Sequence, residues 1–515
     1  MPLAVTAVGA AGAAAACSAD TSEDVENWSS THKVTTKLYL KPESTEEASD
    51  ICCVEQIIAG AHKAGTKVRV VGNALSPNAI GLSTDTMLTL ALCDKVLSVD
   101  PMRKTVRVQA GARVQQVVDA LTPYNLTLQN YASISEQQIG GFLQVGAHGT
   151  GVTIPPVDEQ IISMRLVTPG LGAIELSEDL DPDLFRLAKV GLGALGVVTE
   201  VTIQCVPRHL LTEKTWVLTR AEVKAQHRRL LKENRHIRYM WIPYTDAVVV
   251  VACNPAEPGA YAGAQSASSG DSGVDEAKPL VDLLLSCPGQ DAEQVRGMGF
   301  GELRDKLLAA DPLNAAWVAR VNAAEATFWH QRSGTRTDYS DRVLGFDCGG
   351  QQWVNEVALP AREAADLNYV LEVLALIEEG NVPAPAPIEQ RWTAPSAARM
   401  SPARVAGGVA SWVGIIMYLP SDEARQRSDI TRAFFEYRDL CKEKLWDRYE
   451  CTEHWAKIEK PDTPEEAASL QARLRRHYPV NAFNAARRKL DPQNIMANDH
   501  IDALFGTGRW TPQQQ

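Results

Sequence analysis

The chain has 515 residues, is 45% hydrophobic and 22% charged, and carries a formal net charge of −12. That length exceeds one ordinary core and predicts two or three globular domains. The acidity excludes a general nucleic-acid binder. Ten cysteines without a CxxC pair exclude a dense disulfide framework, and the adjacent Cys52 and Cys53 read as core thiols. No apolar run is long enough to span a bilayer.

Residues 1–33 are expected to be disordered or a targeting remnant. Residues 2–17 are Ala- and Gly-rich, and the first basic residue, Lys33, follows Asp20, Glu23, Asp24 and Glu26. An Arg-rich mitochondrial presequence has the opposite charge pattern. From residue 37 the reading is α+β. A helix is predicted over 51–64, strands over 67–71, 87–90, 96–99 and 106–110, a helix over 114–121 and a strand over 197–205.

The second half opens with a strand over 214–218, a basic helix near 221–235 and a strand over 247–251. Residues 256–279, rich in Gly, Ser and Ala, read as a flexible insertion. Leu367, Val370, Leu371, Leu374 and Ile377 fall on one face of a helix over 366–379. A Pro-rich run then leads into a strand over 388–393. The basic clusters 228–238 and 473–477 read as solvated helix faces, with docking patches as the alternative.

Three small-residue segments are candidate cofactor contacts. VRVVGNALSPN (68–78) is a strand entering a turn whose backbone N–H groups can surround an anion; a plain β-turn fits it as well. QIGGFLQVGAHGTG (138–151) lets backbone lie against a planar ring, and His148 within it is either a proton donor or a structural residue bonded to backbone. GLGALG (191–196) satisfies GxGxxG, but a helix precedes it and a strand follows. That reverses the Rossmann order, so nicotinamide binding is rejected.

These segments, with SEQQIGG (135–141), DEQIISMRLVTP (158–169), GFDCGGQQW (345–353), PIEQRWTA (387–394) and EHWAKIE (453–459), resemble the vanillyl-alcohol-oxidase-type FAD-linked oxidoreductases. Within them the likeness is to the aldonolactone oxidoreductase branch of the plant L-galactono-1,4-lactone dehydrogenase type. The resemblance implies a PCMH-type FAD-binding domain of two α+β subdomains over 34–207. An α+β cap, or substrate, domain follows over 208–515. It implies cofactor contacts at Val71, Gly72, Asn73, Ala74, Leu75, Ser76 and Asn78. Others are Ile139, Gly140, Gly141, Gly146, His148, Gly149, Thr150, Gly196 and Val198. Many relatives bond the flavin to a histidine where Leu75 stands. Leucine has no nucleophilic atom, so FAD is expected to be held non-covalently.

Flavin-dependent alcohol oxidation moves a hydride to the flavin while the hydroxyl proton leaves. It therefore needs a proton acceptor and positive charge beside the reduced ring. Glu389 and Arg391, two apart on a strand, share a face and match the family's Glu-x-Arg site; a cross-strand or surface ion pair is the alternative. In His454-Trp-Ala-Lys457 a strand would put Lys457 and Trp455 on one face, and the resemblance sets Lys457 near the flavin, with His454 the weaker candidate. Ser133 is implied to bond substrate. Ala132 matches a position where a methyl group obstructs oxygen, pointing to a dehydrogenase. Cys348 is either an oxidation-sensitive or an inert buried thiol.

The resemblance implies oxidation of L-galactono-1,4-lactone to ascorbate, cytochrome c as acceptor, no metal and a monomer. It implies a mitochondrial place on the inner membrane, facing the intermembrane space. The rival expectations are an oxygen-using aldonolactone oxidase and a respiratory complex I assembly factor.

Overall fold

The computed structural model describes residues 22–45, 53–267, 277–345 and 350–507. Residues 22–30, expected to be disordered, are ordered. β1 (Glu23–Glu26) and β2 (Lys33–Thr36) form an antiparallel hairpin. Its turn is held by bonds to residues about fifty positions away, which local polarity does not reveal. β3 (Leu38–Leu40), β4 (Val68–Val71) and β5 (Thr86–Thr89) make a parallel sheet with β5 central. The intervening helix α1 (Val54–Ala64) starts at Cys53, whose sulfur accepts from Gln56 N at 3.4 Å. It stops at Gly65 in the left-handed region, φ 65°, the usual way for a helix to end.

A second, antiparallel sheet uses β6 (Val96–Asp100), β7 (Thr105–Gln109), β8 (Leu126–Leu128), β9 (Ile161–Thr168), β10 (Gly172–Ser177) and β11 (Val197–Pro207). Its order is β10-β9-β11-β7-β6, with β8 also beside β11. α2 (Val114–Leu121) spans the predicted residues and buries Val114, Val117, Val118 and Leu121. α3 (Ile139–Gln144) carries the glycine pair 140–141, and α4 (Pro182–Ala188) precedes the 191–196 loop that runs into β11. That is the reversed order read from the sequence.

The second half builds a nine-stranded sheet ordered β15-β16-β12-β14-β13-β18-β19-β17-β20. Its strands are β12 (Leu210–Thr219), β13 (His236–Trp241), β14 (Ala247–Pro255), β15 (Ala264–Ala267), β16 (Gly334–Tyr339), β17 (Gln352–Pro360), β18 (Ile388–Thr393), β19 (Ala410–Tyr418) and β20 (Thr452–Glu453). Strand alternation separates two faces. Tyr239, Trp241, Val250, Trp392, Val413 and Ile415 pack against α5 (Arg220–Glu233), α8 (Ala365–Gly380) and α9 (Ala424–Cys441). Near the other face lie α6 (Phe300–Ala310) and α7 (Ala315–Gln331).

Three further expectations change. β15 falls inside the presumed flexible insertion and pairs with β16, an edge pairing that small residues permit; residues 268–276 lie outside the described residues. The helices Pro464–His477, Val480–Leu490 and Asp499–Phe505 do not stay with the second sheet. Leu474, Phe483, Leu490, Ile501 and Leu504 join the core of the first half with Val68, Leu88 and Val190. The basic clusters are not uniformly solvated either, since Arg473 is buried against Glu453 and Arg238 faces a cavity.

Candidate active site

Alternation along four neighbouring strands points Arg238 and Met240 (β13), Glu389 and Arg391 (β18), Gly414, Ile416 and Tyr418 (β19), and Gln352, Val354 and Glu356 (β17) to one side. All line a cavity of about 790 Å³, within the range of small-molecule and cofactor sites. The facing wall comes from the first half. It is formed by Val71, Gly72, Asn73, Ala74, Leu75, Ser76 and Asn78, by Ala132 and Ser133, by Gly140, Gly141 and His148, and by Gly196 and Val198.

Four expected cofactor contacts do not line this cavity. Ile139 is a core residue. Gly146 is a left-handed turn against Pro402. Gly149 packs on Asn130 and Tyr131, and Thr150 Oγ1 meets His236 Nδ1 at 3.1 Å. A glycine-rich segment shows that backbones approach closely, not whether the neighbour is ligand or protein. Cys348 lies outside the described residues.

The wall suits a large planar cofactor. A Cβ on Gly141 would meet nothing within 4 Å, so any side chain there would project into space that the cavity keeps open. Gly196, at φ 146°, would put a Cβ 2.5 Å from Val167 O, so no other residue fits. Buried Arg69 ties the cavity-forming loops together, donating to Ile80 O at 2.9 Å, Leu192 O at 2.7 Å and Gly193 O at 3.2 Å. Asn78 Nδ2 joins the first loop to the C-terminal segment through Trp455 O at 2.9 Å and Ile458 O at 2.7 Å. Leu75 stands on the wall with no atom able to tether a cofactor.

The polar centre is Glu356, which the sequence reading missed. Lys457 Nζ donates to its Oε2 at 2.8 Å and Arg391 Nη2 to its Oε1 at 2.9 Å. His148 Nε2 lies 3.2 Å from Oε1. Burial alone would raise the Glu356 pKa, but Lys457, His148 and Arg391 outweigh it and hold the carboxyl well below its usual range. Arg391 Nε also lies 3.4 Å from Glu389 Oε2, and Arg238 Nη1 lies 3.5 Å from Glu389 Oε1. A lone acid in the apolar strand VNEVAL was the available signal, because a buried carboxylate needs cationic partners.

His148 makes the backbone contact of its structural reading while also lining the cavity. Nδ1 lies 3.1 Å from Gly149 O, and the ring stacks on Trp412 at 3.7 Å. His454 and Lys457 differ from the strand expected: residues 455–457 form a 3-10 turn. This turn buries Trp455 in the core while both His454 and Lys457 reach the cavity. His454 Nδ1 accepts from Ala456 N at 3.1 Å, a local bond that competes with strand pairing. Burial lowers the pKa of both histidines. Arg238, Arg391 and Lys457 gather around Glu389 and Glu356, and Arg69, Arg304, Arg332 and Glu325 line the same cavity, so cationic side chains outnumber carboxylates there.

His148, Glu356 and His454 place donor atoms within 4.8 Å of one another. Arg391 and Lys457 occupy the same carboxylate, and their charges oppose a metal ion there.

A family model described as D-arabinono-1,4-lactone oxidase matches residues 201–504, and one described as an FAD binding domain matches residues 36–176. The chain is 51% identical to the L-galactono-1,4-lactone dehydrogenase, mitochondrial, of Arabidopsis thaliana, covering 93% of this chain and 81% of the relative. It is likewise 51% identical to dehydrogenase 1 of that name from Oryza sativa subsp. japonica, covering 94% and 84%. Identity to Bos taurus L-gulonolactone oxidase is 26%, covering 93% and 98%. A crystal structure of cholesterol oxidase from B. sterolicum shares the fold, with TM-score 0.71 and 16% identity over 95% of this chain and 97% of that one.

Proposed function

The chain belongs to the D-arabinono-1,4-lactone oxidase family of FAD-linked aldonolactone oxidoreductases, and from that premise we propose that it oxidises L-galactono-1,4-lactone to L-ascorbate with cytochrome c as electron acceptor. The observation that carries this reading is the pairing of Glu389 with Arg391 on the cavity floor, beside the Glu356–Lys457 bond.

The loops around Gly72, Gly141 and Gly196 would hold FAD without a covalent bond, and the flavin would supply the acceptor for a hydride from the lactone ring. The protein's own groups do the rest. Glu389 takes the hydroxyl proton as the ring carbon is oxidised. Arg391 offers a rigid donor fork to a substrate oxygen, with its position fixed by Glu356. Ser133, on the opposite wall, orients the substrate by a hydrogen bond. Lys457 and the surplus of cationic side chains around the cavity stabilise negative charge that develops there. The oxidised lactone enolises to ascorbate.

Ala132, beside Ser133 on the cavity wall, supports a dehydrogenase rather than an oxygen-using oxidase. A mitochondrial place is supported by the names of the plant relatives, and within the organelle we propose the inner membrane, facing the intermembrane space. No helix among the described residues is long and apolar enough to cross a membrane. We take the acting unit to be a monomer. Steady-state assays with this lactone decide the acceptor: cytochrome c is reduced while an oxygen electrode stays nearly flat. Rapid oxygen uptake without cytochrome c reduction overturns the reading.

A further inference from the structure

The turn between β1 and β2 grips the loop that carries Leu75. Asn27 Nδ2 donates to Ser76 O at 3.1 Å and Pro77 O at 2.8 Å. Trp28 N donates to Ala74 O at 2.9 Å, and Thr31 Oγ1 to Pro77 O at 2.6 Å. The turn is itself braced, since Asn27 Oδ1 accepts from Thr31 N at 3.0 Å and His32 N at 3.1 Å. Arg427 Nη2 donates to Ser30 O at 2.7 Å, and His32 Nε2 pairs with Glu459 Oε2 at 3.1 Å. Asn27 is only 3% exposed, so it is a built contact rather than a surface one. The Trp28 side chain lines the cavity beside Leu75 and Ser76.

We propose that Asn27–His32 is a clasp that pre-forms the 72–78 loop and supplies part of the affinity for an FAD that has no covalent tether. This role of the clasp rests on FAD occupying the cavity. Peptide planarity sets the Leu75 N–H opposite the clasped Ala74 carbonyl, turned away from the clasp. Ala74 holds a left-handed φ of 51°, a conformation that an L-residue keeps only when its surroundings enforce it. A loop fixed before binding does not have to be ordered by the cofactor, and the saved entropy appears as affinity.

The test is an FAD titration of apoprotein, read by quenching of flavin fluorescence, with thermal unfolding of the apo and FAD-loaded forms. Asn27→Ala removes the two long-range donors and should raise the Kd for FAD about tenfold, the equivalent of one lost buried hydrogen bond. Thr31→Val, near-isosteric, removes one donor to Pro77 O and should raise Kd less, and it stands in if Asn27→Ala does not fold. Thr35→Ala removes a bond to Asp24 in the same hairpin, away from the loop, and should leave Kd unchanged. FAD should also raise the unfolding temperature of the clasp variants less than that of wild type. Unchanged Kd in both clasp variants, with apo and loaded forms destabilised equally, overturns the proposal. Wild-type protein that takes up no FAD would refute the cofactor reading instead.

Discussion

Lys457 donates to Glu356 Oε2 at 2.8 Å, joining the 455–457 turn to the middle of a strand in the sheet that floors the cavity. Arg391 takes the other carboxylate oxygen. Glu356→Ala removes the buried carboxylate that Lys457 and Arg391 share, leaving Arg391 only its contact with Glu389, and should cost about 3–5 kcal/mol of stability, measured by urea unfolding. The carboxyl's lowered folded pKa means its stabilisation is present above the unfolded value of 4.5. That stabilisation is lost as pH falls from there toward the folded value. The stability of Glu356→Gln should accordingly fall less than wild type's over the same acid range.

His32 gives a dependence of opposite sign. Burial lowers its pKa, but Glu459 and the Pro77 carbonyl outweigh burial and raise it above 6.5. His500 also faces it electrostatically, and the Trp353 ring meets it edge-on at 5.5 Å. Its contribution is complete below pH 6.5 and disappears as pH rises through the raised value. The rate of FAD release should increase over that interval, and His32→Gln should flatten the profile. The side chain is 23% exposed, so the expected change is a fewfold one.

Gly414 sits between Glu389 and Glu356 in one cross-strand row. A glycine inside the strand ASWVGIIMY weakens the sheet unless something must approach closely. A Cβ there would find no atom nearer than 4.0 Å, so the glycine leaves room beside the two carboxylates. Gly414→Val should raise the KM for the lactone by about tenfold or more while FAD stays bound. Unchanged KM would show that substrate lies elsewhere.

Ala132 stands next to Ser133 at the cavity. Ala132→Gly removes the methyl group that we take to block oxygen, so lactone-dependent oxygen consumption should rise severalfold. Cytochrome c reduction should persist. An oxygen electrode reads the change directly.

Much of the site was legible because its residues lie in short local patterns. Glu389 and Arg391 share a face by strand period alone, and Leu75 declares its lack of a nucleophile wherever it sits. The reversed order around 191–196 follows from α4 and β11, both readable locally. The hidden parts depend on chain returns. Glu356 becomes a hub only when three elements distant in sequence bring His148, Arg391 and Lys457 to it. Gly146 and Gly149 look like cofactor glycines until the residues they pack against are known. Asn27 and Thr31 look like a polar, disordered tail, because the carbonyls they bind belong to residues 76 and 77. Likewise, the apolar faces of the last three helices do not say which half of the molecule they complete.

Oxidation of L-galactono-1,4-lactone in this cavity, by a flavin held without a covalent bond, underlies the expectations above. Mixing FAD-loaded protein anaerobically with the lactone tests it most directly, with the flavin absorbance followed before and after cytochrome c is added. Bleaching is expected on mixing, with recovery when cytochrome c is added and release of all the yellow colour into the supernatant after acid precipitation. A flavin that stays oxidised in excess lactone, or colour that remains with the denatured chain, would contradict it.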